Sequence, residues 1–152
     1  MTYNRKKAAN YASTWAFLRN PEYHNFDGQG GDCTNFVSQC LYAGCGEMNY
    51  AENFGWYYTS LKDRAAAWSG VSFFYKFLTT NLTAGPKAVE SSLEMAEIGD
   101  VIQLSFDGET FRHSLFVIEI SPKILIAAHT DDSLRRPLSD YNYVNIRLLH
   151  II

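Results

Sequence analysis

The sequence predicts an α+β domain in which helices come first and an antiparallel sheet follows. Two stretches within the first 46 residues, and a third near residue 75, carry apolar side chains at helical spacing. After residue 100 the pattern changes to short runs rich in β-branched and apolar residues. Because 152 residues are enough for one hydrophobic core and too few for two, we expect a single domain over residues 1–152.

The first helix is predicted over residues 5–18. Asn4 has a side chain suited to the N-cap, and Pro21 lies just beyond the expected end. The apolar residues at helical spacing are Ala8, Tyr11, Ala12, Trp15 and Leu18. One face of this helix is therefore expected to pack on the core.

A second helix is predicted to begin at Cys33, directly after a glycine turn. Residues 30–39 read Gly-Gly-Asp-Cys-Thr-Asn-Phe-Val-Ser-Gln, which puts Asp32 at the N-cap position, and Gly44 and Gly46 mark the end. A thiol in the first turn of a helix lies near unpaired backbone N–H groups and the positive end of the helix dipole, and both favour the thiolate. Cys33 is therefore the lead candidate for a nucleophile.

The second half of the chain supplies the predicted sheet. A third helix is expected around residues 71–78, and the aromatic segment at 54–58 before it is expected mostly to pack in the core. Gly99-Asp100 is typical of a turn that opens a strand. The four predicted strands cover residues 101–106, 113–118, 124–129 and 143–152.

Two histidines lie at the ends of neighbouring predicted strands. If residues 113–118 and 124–129 form a symmetric hairpin, Ile118 pairs with Ile124 and His113 lies directly opposite His129. Partners on one face of a sheet have Cβ atoms about 5 Å apart, so the two rings could form a hydrogen bond. A cysteine nucleophile needs a base and a third polar group that orients it, and we expect His113 and His129 in these roles.

Other polar residues have weaker functional signals. Asp131 and Asp132, just after His129, are alternative orienting groups, whereas His24 and His150 are expected to be structural.

The remaining cysteines and the composition exclude several function classes. Cys33, Cys40 and Cys45 show no Cys-x-x-Cys spacing, so we expect no metal and no cofactor, and Cys40 is expected to be a core residue. Along a helix Cys33 and Cys40 would lie about 10 Å apart, too far for a disulfide. The net charge of −3 argues against nucleic-acid binding. We expect a soluble chain with no signal peptide and no membrane span.

Several motifs between residues 11 and 138 resemble one known family. They are Asn-Tyr-Ala-x-x-Trp-Ala at 10–16, Asn-Pro-x-Tyr at 20–23, the block at 30–41, Trp-Tyr-Tyr at 56–58, Gly-Asp-Val-Ile at 99–102, His-Ser at 113–114 and His-Thr at 129–130. The chain is similar to the Putative amidase domain family, which is grouped with papain-like cysteine peptidases of the NlpC cell-wall hydrolase type.

The resemblance implies a papain-like, NlpC-type fold in which N-terminal helices pack on a C-terminal antiparallel sheet. It implies Cys33 as nucleophile, His113 as base and His129 as third polar group in hydrolysis of an amide or peptide bond through a thioester. Peptidoglycan stem peptides are the substrate class that it suggests first. Two alternatives stay open, namely acyl transfer by the same Cys-His site and a non-catalytic binding module on this fold.

Overall fold

The computed structural model describes residues 2–152 and shows a mixed α+β architecture. The helices are α1 (Arg5–Trp15), α2 (Cys33–Cys45), α3 (Ala66–Ser69) and α4 (Val71–Thr80). The strands are β1 (Tyr58–Ser60), β2 (Asp63–Arg64), β3 (Ala88–Ser91), β4 (Val101–Ser105), β5 (Phe111–Ile120), β6 (Ile124–Ala128), β7 (Ser133–Pro137) and β8 (Asn145–Ile151).

Six of the strands form one antiparallel sheet with the order β3-β8-β4-β5-β6-β7, and β1 and β2 form a separate small hairpin. Helices α1, α2 and α4 contact β5 on one face. The opposite face has its own apolar cluster, which includes Leu104, Leu115 and Leu138. Because the central strands are buried on both faces, β4 is buried along its whole length.

The helix predictions are confirmed with shifted ends. α1 begins at the predicted residue and its N-cap Asn4 accepts a hydrogen bond from Lys7 N at 2.9 Å, but the helix ends at Trp15, three residues before the predicted end. α2 begins at Cys33 and ends at Gly46, whose φ of 69° gives the left-handed cap. α4 buries Phe74, Phe77 and Leu78.

The predicted hairpin register is wrong. β5 pairs with β6 through Ile120↔Ile124, an irregularity follows between Val117 and Glu119, and the regular pairs Val117↔Ile126 and Phe116↔Ala127 come next. Continued by two residues, this register brings His129 opposite Ser114 and not opposite His113. The net shift is one residue, because β5 extends two residues further into the turn than the apolar run suggested and the irregularity moves the pairing back by one.

Several residues that were expected to have a structural role do have one. Cys40 is fully buried in the helix-side core, and all three cysteines are free. Asp100, at the start of β4, is buried and accepts hydrogen bonds from Arg5 Nη1 at 2.8 Å and His150 Nδ1 at 2.9 Å, so it ties α1 and β8 together. Within residues 2–152, no helix is both long enough and apolar enough to cross a lipid bilayer.

Candidate active site at the start of α2

The turn before α2 requires glycine, because two of its residues have a positive φ. Gly30 and Gly31 both have φ of 97°, where a side chain would be strained even though a Cβ would meet no other atom within 4 Å. Asp32 follows at the N-cap position as predicted, but its carboxylate forms no capping bond to the helix backbone. The first N–H groups of α2 are therefore not covered by a side-chain cap, in contrast to α1.

The Asp32 carboxylate instead binds His129. Oδ2 accepts a hydrogen bond from His129 Nδ1 at 2.6 Å, while Oδ1 accepts bonds from Phe26 N and Asn35 Nδ2, both at 2.9 Å. Burial opposes ionisation of Asp32, but the bonds from His129, Phe26 N and Asn35 outweigh it and lower the pKa of this carboxyl. Asp32 is thus held as a carboxylate immediately before Cys33.

Both nitrogens of His129 face acceptors. Nδ1 points to the Asp32 carboxylate, and Nε2 lies 2.7 Å from the carbonyl oxygen of Trp15 in α1. The ring is also stacked on Phe36 of α2, with centroids 3.9 Å apart. His129 therefore joins α1, the turn before α2 and the end of β6.

The other polar side chains of the motif each have a buried partner. Thr34 Oγ1 and Ser114 Oγ of β5 share a hydrogen bond at 2.9 Å, and Ser114 also accepts from Gln103 Nε2 at 3.1 Å. Gln103 Oε1 accepts from Arg147 Nε at 2.9 Å. This chain of bonds fixes the start of α2 against β5, β4 and β8.

Further along α2, the motif anchors two tryptophans. Asn35 Oδ1 accepts from Trp68 Nε1 at 2.9 Å, and Ser38 Oγ accepts from Trp56 Nε1 at 3.0 Å. Both indoles are completely buried, so each indole N–H has the partner that burial requires. The prediction that the aromatic segment contributes to the core is confirmed at Trp56 and at Tyr58.

Cys33 lies in the first turn of α2, against the beginning of β5. Its Sγ is 3.9 Å from the carbonyl oxygen of Arg112 and 3.8 Å from Thr34 Oγ1. The residue is 6% exposed, whereas Cys40 has no exposed surface at all. The thiol therefore sits at the edge of the core, beside the backbone that leads into His113.

His113 follows Arg112 in β5, and its side chain points in a different direction from the side chain of Ser114. Its ring lies edge-on to Phe106, with centroids 5.1 Å apart. Because neighbouring side chains of a strand point to opposite faces and Ser114 bonds to α2, His113 lies on the face that carries Leu104. Burial lowers the pKa of His113, partly offset by the negative charge of Asp131.

The buried Nδ1 of His113 forms no hydrogen bond to any residue between 2 and 152. His113 and His129 therefore do not form the expected hydrogen bond, and each ring lies in an environment of its own. One contains His129, Asp32 and Phe36, and the other contains His113 and Phe106 with the charge of Asp131 nearby.

The sequence did not predict the hydrogen-bond partners of Ser114 and Asp132. Ser114 was part of a recognised His-Ser pair, but nothing in the sequence identified its bond to Thr34. Asp132, one of the alternative orienting groups, binds Arg19 through two hydrogen bonds at 2.8 and 3.1 Å. Asp131 is exposed and has φ of 51°. In the described part of the chain, no group of three or more His, Cys, Asp or Glu side chains could hold a metal ion.

The comparisons with known proteins agree with the motif. The family model described as Putative amidase domain matches residues 2–152. The uncharacterized protein YhbB of Bacillus subtilis (strain 168) is 36% identical over 143 residues, which cover 88% of this chain and 43% of that protein. The chain thus spans less than half the length of this relative. No solved structure matches significantly. The match over nearly the whole chain shows that it belongs to the Putative amidase domain family.

Proposed function

We propose that this chain is a cysteine-dependent hydrolase of amide or peptide bonds, with Cys33 as the nucleophile and His113 as the general base. The observation that carries the proposal is the position of Cys33 in the first turn of α2, where Asp32 leaves the helix N-terminus uncapped. The family name supports hydrolysis of a carbon–nitrogen bond. The cysteine mechanism rests on the geometry alone.

The uncapped N-terminus suits the chemistry because an attacking thiolate creates an oxyanion. Backbone N–H groups at the start of α2 can donate to that oxygen, and the positive end of the helix dipole stabilises both the thiolate and the oxyanion. A capping carboxylate would occupy these donors and add negative charge beside the sulfur. The bond between Asp32 and His129 directs the carboxylate away from them.

His113 is proposed as base because it follows Arg112, the residue whose carbonyl lies beside Sγ. The lowered pKa keeps the imidazole neutral near pH 7, which is the form that accepts a proton from the thiol. Sγ and the ring share no hydrogen bond in this structure, and His113 lies on the opposite face of the sheet from α2, so the beginning of β5 must rearrange to bring the two together when substrate binds. Such contacts commonly tighten only in the substrate complex.

The third polar group of the site was expected to be His129. We retain His129 as a residue of the site in a positioning role, because it holds Asp32 and the start of α2 through buried bonds. Asp131 stays the alternative candidate for orienting His113, since its negative charge acts on that imidazole although no hydrogen bond joins Asp131 to His113 Nδ1.

The reaction begins when Cys33 transfers its proton to His113 and the thiolate attacks the substrate carbonyl. The amine leaves with the proton from His113, and a thioester remains on Sγ. Water then attacks the thioester with His113 as base, which releases the acid and restores the thiol. By resemblance to NlpC-type enzymes with a papain-like fold, bacterial cell-wall peptides are the substrate class we would test first.

The proposal is tested by screening a library of peptides and N-acyl amides for hydrolysis. Activity that disappears in Cys33→Ala and in His113→Ala, but survives in the matched control Cys45→Ala, supports it. Cys45 is a suitable control because it lies at the far end of α2, with its Sγ bonded to the Glu47 carbonyl at 3.3 Å. Hydrolysis retained by the Cys33→Ala protein excludes the assignment. Addition of an amine nucleophile separates hydrolysis from acyl transfer by the products.

A further inference from the structure

A cavity of about 490 Å³ lies between the segment 51–57, the start of α3 and α4. Its volume falls within the range of small-molecule sites. Part of its wall is apolar, with methyl groups of Ala51 and Ala66 beside the rings of Tyr57 and Phe73. Phe73 is 53% exposed, whereas Phe74, Phe77 and Leu78 of the same helix are buried. The wall is therefore suited to an apolar or aromatic group of a ligand.

Two cationic side chains line the same cavity and have no carboxylate partner among residues 2–152. Lys76 Nζ lies 5.6 Å from the ring centroid of Phe54 and forms no ion pair. Arg64 donates to Ser69 Oγ at 3.0 Å and to the Leu61 carbonyl, both neutral acceptors. Glu52 is the one lining residue with negative charge, so the lining carries a net positive charge. An anionic group is favoured over a cationic one.

Phe26, in the turn that precedes α2, lies between the cavity lining and Asp32. The Arg64 guanidinium covers the Phe26 ring at 4.6 Å, and Phe26 N donates to Asp32 on the other side. The backbone of the 51–57 wall packs closely on residue 49, because a Cβ on Gly55 would lie 2.4 Å from the Asn49 carbonyl oxygen. A backbone bridge between Asn49 and Trp56 holds the two ends of this wall together. The residues that line the cavity do not include Cys33, so the cavity is distinct from the proposed nucleophile.

We propose that this cavity binds a carboxylate-bearing small molecule, whose acid group pairs with Lys76 and Arg64 and whose apolar body lies against Tyr57 and Phe73. Recognition requires both the acid group and the apolar body of the ligand. The charge selects the carboxylate, while the aromatic and alanine wall excludes water from the body of the ligand. The site does not depend on the hydrolase activity proposed for Cys33.

The experiment is an NMR titration of the ¹⁵N-labelled chain of residues 1–152 with 3-phenylpropionate, and with the matching neutral amide, 3-phenylpropionamide. We expect the acid to shift the amide signals of Gly55, Ala67 and Lys76, and to bind more tightly than the amide. Lys76→Gln should weaken binding of the acid about 2- to 5-fold, the effect of one partly exposed ion pair. Lys6→Gln, an exposed lysine on α1, is the matched control.

Two further variants make the outcome decisive. Ala66→Leu fills the cavity without changing its charge and should abolish binding of both probes, and Cys33→Ala should leave binding unchanged. Equal binding of acid and amide, shifts confined to another region, or an Ala66→Leu protein that binds normally each overturns the proposal. Loss of hydrolysis in Cys33→Ala with binding intact separates this site from the proposed catalytic one.

Discussion

Replacement of His129 by leucine is expected to destabilise the fold strongly, whereas the same replacement at His113 is not. His129→Leu removes two hydrogen bonds, a buried one to the Asp32 carboxylate and a partly buried one to the Trp15 carbonyl. The carboxylate then stays buried with its neutral donors Phe26 N and Asn35, and with the Arg19 guanidinium at 3.5 Å. Loss of a hydrogen bond to a charged group costs about 1.5–3 kcal/mol and a carbonyl left without its partner about 1–3 kcal/mol, so we expect a total of about 3–5 kcal/mol.

The matched change, His113→Leu, removes a half-buried ring whose Nδ1 has no hydrogen-bond partner among the described residues. An apolar side chain leaves no unsatisfied atom there, so we expect the free energy of unfolding to change by no more than about 1 kcal/mol. The two variants therefore separate a histidine that supports the structure from one that is free to act in catalysis.

Urea unfolding followed by tryptophan fluorescence measures both effects. With a slope of about 2 kcal/mol/M, His129→Leu should lower the midpoint by roughly 1.5–2.5 M. That loss is tolerable for a domain with a stability of about 5–15 kcal/mol, so the variant should still fold at low denaturant. Equal destabilisation by both substitutions, or a cost below about 1 kcal/mol at His129, would refute the reasoning.

Four other substitutions probe the same region. Folding lowers the pKa of Asp32, so the stability that this carboxylate contributes is complete above the unfolded pKa of about 3.9 and is lost as the pH falls through the folded pKa. Asp32→Asn should therefore flatten the acid limb of the curve of unfolding free energy against pH, measured by urea unfolding. Gly31→Ala should lower the free energy of unfolding by about 1–2 kcal/mol, because a φ of 97° is strained for a residue with a Cβ. An unchanged melting temperature would contradict this. Thr34→Val should cost about 1–2 kcal/mol, and a double-mutant cycle with Ser114→Ala should show coupling between the two hydroxyls; strictly additive effects would argue against the bond.

The elements with a strong local pattern could be predicted from the sequence. α1 and α2 combine helical spacing of apolar residues with recognisable ends, Asn4 at one start and Gly46 at one end. The runs that became β4 and β5 are apolar because the sheet is covered on both faces. Edge strands β3 and β7 lack this signal, since β7 reads Ser-Leu-Arg-Arg-Pro and has only one sheet neighbour.

The site was predictable only in part, because its contacts join distant segments. The glycine turn and the start of α2 identified Cys33 locally, but the bond between Asp32 and His129 spans 97 residues and leaves no local pattern. The position of His113 depended on the irregularity between Val117 and Glu119, which no turn residue marks. A shift of this kind decides which strand side chains face the helix.

The pH dependence of Cys33 alkylation by iodoacetamide, located by peptide mapping, tests the nucleophile and its base together without a known substrate. The account predicts rapid labelling of Cys33 at neutral pH, no labelling of the fully buried Cys40 in the folded protein, and a shift of the Cys33 rate profile to higher pH in His113→Ala. A Cys33 that does not react in the folded protein, or a profile that is unchanged without His113, would contradict the account.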